Sequence, residues 1–321
     1  MYIVPESAIA NILTRTDAFV AVEQVFASMS AGHAYNFPVI REAIGHDEAL
    51  YGFKGGFDSK TMSLGLKAGG FWPHNIEKRG IINHQSTVFL FDPDTGKVKA
   101  MVGGNLLTAL RTAAASSVSI KYLARKDASV MGMIGAGHQA KFQLRHALET
   151  HSFKKVIGWN YHPEMLPSLA EVAVEFDLPF EAVTLEGMIE ADVVISMTSS
   201  FNPIFSAAHI KDGTHIACMG TDTVGKQECN TDLIVKATVF TDEVAQSVTL
   251  GETQHAVSAG LKSRNDIIEL GAVINGTHAG RTSDCETTLF DGTGVSLQDL
   301  AVSARIVEIA KAKGLGMEVD F

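Results

Sequence analysis

Cysteine is scarce in this chain, at three of 321 residues. Cys218, Cys229 and Cys285 make an odd count, with no C-x-x-C pair and no Cys/His ligand spacing. A disulfide framework and a structural metal site are therefore not expected. Basic charge is short as well: 26 Lys and Arg stand against 36 Asp and Glu, a net charge of −10. No Lys/Arg cluster marks a nucleic-acid footprint, so nucleic acid is not an expected partner. Long apolar runs are missing, and none reaches the roughly 18 residues of a membrane-spanning segment. The opening MYIVPESAIANIL has no basic stretch before an apolar core, so it does not read as a signal peptide. A membrane partner is not expected, and the cytoplasm is the expected compartment.

What remains is ordinary for a globular enzyme: 46% hydrophobic residues, 19% charged, 29 Gly and 8 Pro. The length suggests two domains or one large α/β unit. Residues 5–31 read as one helix, started by Pro5-Glu6-Ser7. SLGLKAGGFW and STVFLFD read as strands, and STVFLFD with PDTGK and VKAMVGG reads as a hairpin. The first hundred residues thus look like an α+β unit with an antiparallel sheet. LLTALRTAAASSVSIKYLARK reads as a helix. Strands and helices then alternate, from SVMGMIG through KVIGWN, DVVISM and THIACMG to ATVFTD. That rhythm predicts a parallel sheet with helices on both faces. SLQDLAVSARIVEIAKAKG closes the chain as a helix that can return to the first domain. The expected division is residues 1–115 with 296–321 as one domain and 116–295 as the other.

The stretch MGMIGAGHQAKFQLRHALE holds G-x-G-x-x-A at Gly135, Gly137 and Ala140. In a strand–loop–helix setting the first Gly permits a tight turn. The second lets backbone approach a pyrophosphate, and the small third residue lets helix and strand pack closely. A helix N-terminus then presents free N–H groups and the positive end of its dipole. A structural turn is the alternative, but the context favours a dinucleotide cradle built from Gly135, Ala136, Gly137, His138 and Gln139. The second strand ends in Trp159-Asn160-Tyr161-His162. It lacks the acidic residue that would bond a ribose 2′-OH and the Arg that would take a 2′-phosphate. Asn160 can still bond a ribose hydroxyl, with Tyr161 and His162 beside it. NADH is expected, and His162 leaves NADPH possible. Thr112, Thr198, Ser199, Met219 and Gly220 are further expected cofactor contacts.

Three cations of the first hundred or so residues need partners. Lys67 lies inside an apolar strand and Arg111 inside an apolar helix, where an unpaired charge costs several kcal/mol. A protein carboxylate or a ligand anion can serve each. Arg41, in NFPVIREAI, is uninformative alone. Asp222, in GTDTVGKQE, reads either as a capping residue or as an acid/base group at the edge of a parallel sheet.

LGLKAGGFWPHN, TGKVKAMVGGNLLTALRTAAASS, MGMIGAGHQA, TDTVGKQE and FDGTGVSLQDL together resemble the successive signature segments of the ornithine cyclodeaminase/mu-crystallin family. The resemblance covers about residues 40–310. It implies a Rossmann-type doubly wound α/β domain and an α+β domain that binds substrate and dimerises through its sheet. It also implies nicotinamide-dependent chemistry on an imine. Arg41 and Arg111 would clamp a substrate carboxylate, Lys67 would lie beside the reacting carbon or its carboxylate, and Asp222 would be the acid/base on nitrogen. His84, with Gln85 and Ser86, adds polar groups where the more apolar, amine-cyclising members differ. If they face the site, a dicarboxylic imine such as iminosuccinate, giving aspartate, is the expected substrate. Ornithine cyclodeaminase, alanine dehydrogenase and ketimine reductase activities are the alternatives, together with a non-catalytic mu-crystallin-like binder. A homodimer acting on a small imino or amino acid is the expectation overall.

Overall fold

The computed structural model describes residues 1–321. The chain divides into two compact units, Met1–Arg111 with Val295–Phe321, and Thr112–Gly294.

The first unit opens with β1 (Tyr2–Val4), α1 (Glu6–Ile9) and α2 (Arg15–Ser30). Here the sequence reading of one helix over residues 5–31 is corrected. Thr14 and Asp17 form a capping box, the Thr14 hydroxyl accepting from the Asp17 N–H at 3.1 Å. That pair satisfies amide groups a continuous helix would satisfy internally, so the chain stops and restarts. Strands β2 (Ala34–Asn36), β3 (Ile40–Ala43), β4 (Leu50–Asp58) and β5 (Ser63–Phe71) follow. Then come α3 (Asn75–Arg79), β6 (His84–Phe91) and β7 (Val98–Gly103). Helix α4 (Asn105–Leu123) contains the boundary between the units.

The second unit begins its sheet with β8 (Val130–Ile134), α5 (Ala140–Thr150), β9 (Lys155–Trp159), α6 (Pro167–Glu175) and β10 (Phe180–Ala182). It continues with β11 (Val193–Ser196), β12 (His215–Cys218), α7 (Thr231–Lys236), β13 (Thr238–Thr241), α8 (Val244–Leu250) and α9 (Gln254–Ser258). It ends with β14 (Ile267–Glu269), α10 (Leu270–Ile274) and β15 (Thr288–Asp291). All eight strands run parallel, in the order β10-β9-β8-β11-β12-β15-β13-β14. The order turns back at β8, with β9 and β10 to one side and β11 and β12 to the other. That reversal is the switch point of a doubly wound fold, where ligands sit outside the carboxyl ends of the strands. The core includes Ile134, Ile157, Val194, Ile216, Leu233 and Leu289.

The chain then returns to the first unit with α11 (Ser296–Lys313) and β16 (Met317–Glu318). The first sheet runs β16-β1-β7-β6-β5-β4-β2, with β3 on β4. It is antiparallel as expected, except that β1 joins β7 in parallel. Helix α11 packs on β4, β5 and β6 and against α2. Glycine makes this contact possible. A Cβ on Gly65 would stand 2.8 Å from the Leu300 side chain and 2.4 Å from a backbone oxygen. No helix is long and apolar enough to cross a membrane.

Candidate active site

Strand register gathers the cations of the first unit. In an antiparallel pair, directly opposed residues share a face. Arg41 opposes Gly52, Gly52 opposes Gly69, and Gly69 opposes Ser86. Two residues along, Lys54 opposes Lys67 and Lys67 opposes Val88; Phe71 opposes His84. Arg41, Lys54, Lys67, His84 and Ser86 therefore lie on one face. It is the face of Gly65, against which α11 packs.

Helix α11 brings Asp299 to this face. Its Oδ2 sits 2.8 Å from Lys67 Nζ and its Oδ1 accepts from Arg111 Nε at 3.0 Å. Gln298 Oε1 accepts from Arg111 Nη1 at 3.2 Å, and Thr108 Oγ1 accepts from Lys67 Nζ at 3.4 Å. Asp299 is fully buried and Lys67 and Arg111 nearly so. The carboxylate those two cations require thus comes largely from the protein, leaving one positive charge among the three groups. Burial pulls the Lys67 ammonium down to about 7, with Asp299 opposing and Arg111 and Lys54 adding to the fall. Burial would raise the Asp299 carboxyl, but Arg111 and Lys67 hold it below its usual value. Burial, then Lys67 and Arg111, push His84 down to about 4, so its ring is neutral near pH 7. His84 Nε2 lies 3.2 Å from Ser86 Oγ. Arg41 is exposed on β3, and its charge also reaches His84.

In the second unit, Gly135 directly follows β8 with φ +100°, and a Cβ there would stand 2.5 Å from the Met197 carbonyl oxygen. Only glycine takes both demands. Gly137 is different: a Cβ there meets nothing within 4 Å, so the loop has open space above it. Ala140 is fully buried where α5 meets the sheet. Asn160 Oδ1 accepts the Ala136 N–H at 3.1 Å, and Asn160 Nδ2 donates to the His162 carbonyl at 2.8 Å. Its amide braces the glycine loop, a use the sequence reading did not assign. Tyr161 is 80% exposed, and His162 lies 3.3 Å from Glu164. His138 is exposed, while Gln139 Oε1 is buried with no hydrogen-bond partner. Beside the loop, a cavity of about 570 Å³ opens between the ends of β9 and β10, lined by Trp159, Pro163, Leu166, Val183 and Leu185 among others.

Across the switch point, Thr198 and Ser199 follow β11, and Met219 and Gly220 follow β12. Thr112 is buried in α4. A residue that sequence reasoning missed ties these loops together. Glu228 accepts from Ser196 Oγ at 2.6 Å and from the Thr198 and Gly220 N–H groups at 2.7 Å each. Glu252 in turn accepts from the Glu228 and Cys229 N–H groups at 2.8 and 2.7 Å and from Thr221 Oγ1. Burial and the Glu228 charge push Glu252 up to about 7. Asp222 does not cap a helix, since Asn230 caps α7. Its Oδ1 sits 2.9 Å from Lys226 Nζ, and the side chain is 36% exposed.

The family model for the ornithine cyclodeaminase/mu-crystallin family matches residues 5–314. An iminosuccinate reductase of Paracoccus denitrificans is 63% identical over 321 residues, all of both chains. The crystal structure of the Paracoccus denitrificans iminosuccinate reductase in complex with NAD+ superposes with a TM-score of 0.96 at 62% identity, covering 100% of this chain and 99% of that one. An archaeal alanine dehydrogenase dimer with bound NAD superposes with a TM-score of 0.94 at 30% identity, covering 100% and 99%. With a glycine-loop cradle at a switch point and a match along almost its whole length, the chain belongs to the ornithine cyclodeaminase/mu-crystallin family.

Proposed function

We propose that this protein is an NADH-dependent imine reductase that converts iminosuccinate to aspartate. The observation that carries the reading is the inner face of the first sheet, which holds Arg41, Lys54 and Lys67, with Arg111 of α4 joining Lys67 on one buried carboxylate. Such a face suits a small acidic substrate, and the chain is 63% identical over its full length to an iminosuccinate reductase.

The second unit fits NADH. The open space over Gly137 suits a pyrophosphate at the start of α5, and the partly apolar cavity at Trp159 and Leu185 suits an adenine. The Gln139 oxygen has no protein donor, so a ribose hydroxyl can supply one. Asn160 keeps the loop in shape, while Tyr161 and His162 stand at its rim. Glu164 beside His162 disfavours a 2′-phosphate, so NADH is the cofactor. Glu228 orients the loops of Thr198, Ser199, Met219 and Gly220, and Thr112 belongs to the same unit.

When bound, NADH supplies the hydride that reduces the imine carbon. The protein's own groups hold the substrate and manage charge. Arg41 and Arg111 clamp the α-carboxylate, and a guanidinium fork suits this because it can bind both oxygens. Fixing the carboxylate fixes the carbon, which is catalysis by positioning. Lys67, at about 7, can hold or release a proton near neutral pH. Asp222 gives the imine nitrogen its proton and stabilises the iminium. His84, neutral, contributes hydrogen bonds and no charge. The first unit is thus the substrate domain and the second the dinucleotide domain, and we place the protein in the cytoplasm, where NADH is regenerated.

Purified protein is expected to consume NADH when given oxaloacetate and ammonium, and to reduce NAD+ when given aspartate. Nicotinamide absorbance reports both. Conversion of ornithine to proline without net NADH change, or no turnover of either aspartate or oxaloacetate, sinks the reading.

The first sheet has a second face, and it suits a second copy of the chain. Ile40, Phe53, Ala68 and Thr87 oppose one another across four strands, with Tyr35 and Phe57 alongside. Tyr35, Ile40 and Phe53 are 57%, 54% and 43% exposed. An apolar patch of this kind on a sheet signals a partner. We assign it to a homodimer. Light scattering is expected to give a dimer mass for the wild type and a monomer for Phe53→Asp, and a monomeric wild type refutes the assignment.

A further inference from the structure

The two residues immediately before Asp222 are each held by a buried glutamate. Glu228 Oε2 accepts the Gly220 N–H at 2.7 Å, and Glu252 Oε2 is bonded to the Thr221 hydroxyl. Glu228 Oε1 also accepts from Ser196 Oγ at 2.6 Å and from the Thr198 N–H at 2.7 Å. Glu252 Oε1 accepts the Glu228 and Cys229 N–H groups at 2.8 and 2.7 Å, which fixes the segment that carries Glu228. The fit is close at Gly220, where a Cβ would stand 2.8 Å from Glu228 Oε1 and 2.2 Å from the Thr198 carbonyl oxygen.

Both carboxyl groups are fully buried, and their hydrogen-bond partners are all neutral. Two interacting carboxyls in such a place do not both ionise readily, and one keeps its proton. The groups around Glu252 bring no cation. Asp291, at the end of β15, accepts from Ser247 Oγ at 2.6 Å, has a buried Oδ1 without a partner, and feels Asp242 as well as Glu252. The Cys218 and Cys229 thiols are the other titratable neighbours. Lys226 Nζ is engaged elsewhere, 2.9 Å from Asp222 Oδ1 and 3.3 Å from the Gly220 carbonyl oxygen. The donors decide which glutamate holds the proton. Glu228 has a backbone N–H on each oxygen. Glu252 has both its N–H donors on Oε1, and Oε2 meets the Thr221 hydroxyl. A hydroxyl can turn round and accept, whereas a backbone N–H cannot. The proton therefore belongs on Glu252 Oε2, donated to Thr221 Oγ1, in line with the rise of Glu252 to about 7 through burial and the Glu228 charge.

We propose that Glu252 is a positioning residue for proton transfer: protonated, and with Glu228 ionised beside it, it holds Gly220 and Thr221 so that Asp222 meets the imine nitrogen. When Glu252 ionises, it repels Glu228 in a buried setting, and loosening the segment that ties the two loops relieves the repulsion. The assignment rests on the role given to Asp222 in the reductase reading above.

Glu252→Gln is the first test. The amide keeps Oε1 as an acceptor, donates to Thr221 as the acid does, and cannot ionise. With oxaloacetate and ammonium, the ratio of its kcat to that of the wild type is expected to rise about tenfold from pH 6 to pH 8, the span over which an acid at about 7 loses its proton. Taking the ratio cancels the titration of Lys67, which both proteins share. Thr221→Val is the second test, because it keeps the shape of the buried side chain and unhooks the loop from Glu252. Its kcat should fall about 10- to 100-fold, as when a reacting group is held out of place. Its KM for oxaloacetate should change less than about 3-fold, and its thermal midpoint should hold. Independently of turnover, the infrared difference between wild type and Glu252→Gln should contain a protonated-carboxyl band that vanishes between pH 6 and pH 8. A ratio that stays flat with pH, or the lack of that band, overturns the protonated Glu252. A Thr221→Val kcat within about twofold of wild type overturns its hold on Asp222. A wild type that turns over neither oxaloacetate nor pyruvate with ammonium overturns the reductase reading, and the assignment with it, even where the infrared band is found.

Discussion

An Asp299→Asn protein is expected to lose about 3–5 kcal/mol of stability, the effect of removing one partner from a buried ion pair. That is a large share of the 5–15 kcal/mol that holds an ordinary protein folded. Asp299 is fully buried and touches Lys67 at 2.8 Å and Arg111 at 3.0 Å. The asparagine amide keeps the shape and one acceptor oxygen but leaves two neighbouring cations without a counter-charge. Gln298 and Thr108 remain as neutral acceptors and cannot replace it. Urea denaturation of both proteins measures the difference. Adding Lys67→Met to Asp299→Asn should recover part of the loss, because one uncompensated charge is gone. A loss under about 1 kcal/mol would show that water reaches the cluster and screens it.

Asp222→Asn should leave the fold and NADH affinity intact and reduce kcat by about 10²–10⁴-fold, the range for a positioned acid/base group. The side chain is 36% exposed, and an asparagine oxygen can still accept from Lys226. Stability therefore has little to lose. Catalysis has more, since the amide carries no titratable proton for the imine nitrogen. Stopped-flow fluorescence and steady-state rates separate the two. A kcat within tenfold of wild type would move the proton-transfer role elsewhere, and Lys67, at about 7, is then the next group to examine.

The cofactor half of this protein is readable from its sequence because its physics is local. Strands such as β8, β11 and β12 announce themselves by short apolar runs, and Gly135 by a turn that only glycine tolerates. Strand β15 escaped notice. Its residues Thr288–Asp291 follow a polar stretch, and it inserts between β12 and β13, out of chain order. Strand β3 escaped too, because all four of its residues are exposed and no alternation marks them. In the site, Lys67 and Arg111 were visible as charges among apolar neighbours. Their partner was not, since Asp299 lies 188 residues from Arg111 in a helix that reads as ordinary. Lys54 was missed for a related reason. Its meaning comes from facing Lys67, and only strand register supplies that. Glu228 likewise looks like a solvated residue until the fold buries it under two loops.

The return of α11 to the first sheet also sets the order in which this chain can be finished on the ribosome. Everything in Thr112–Gly294 is synthesised between the strands and the helix that covers them. At about 5–20 residues per second that interval lasts roughly 10–40 s. Through it Lys67 of the sheet and Arg111 of α4 lack Asp299, and the glycine-lined face of the sheet stays bare. The second unit can close as soon as Gly294 has emerged, so the later unit in the sequence is the earlier one to mature. The first unit waits as an open sheet, the kind of surface that chaperones shield.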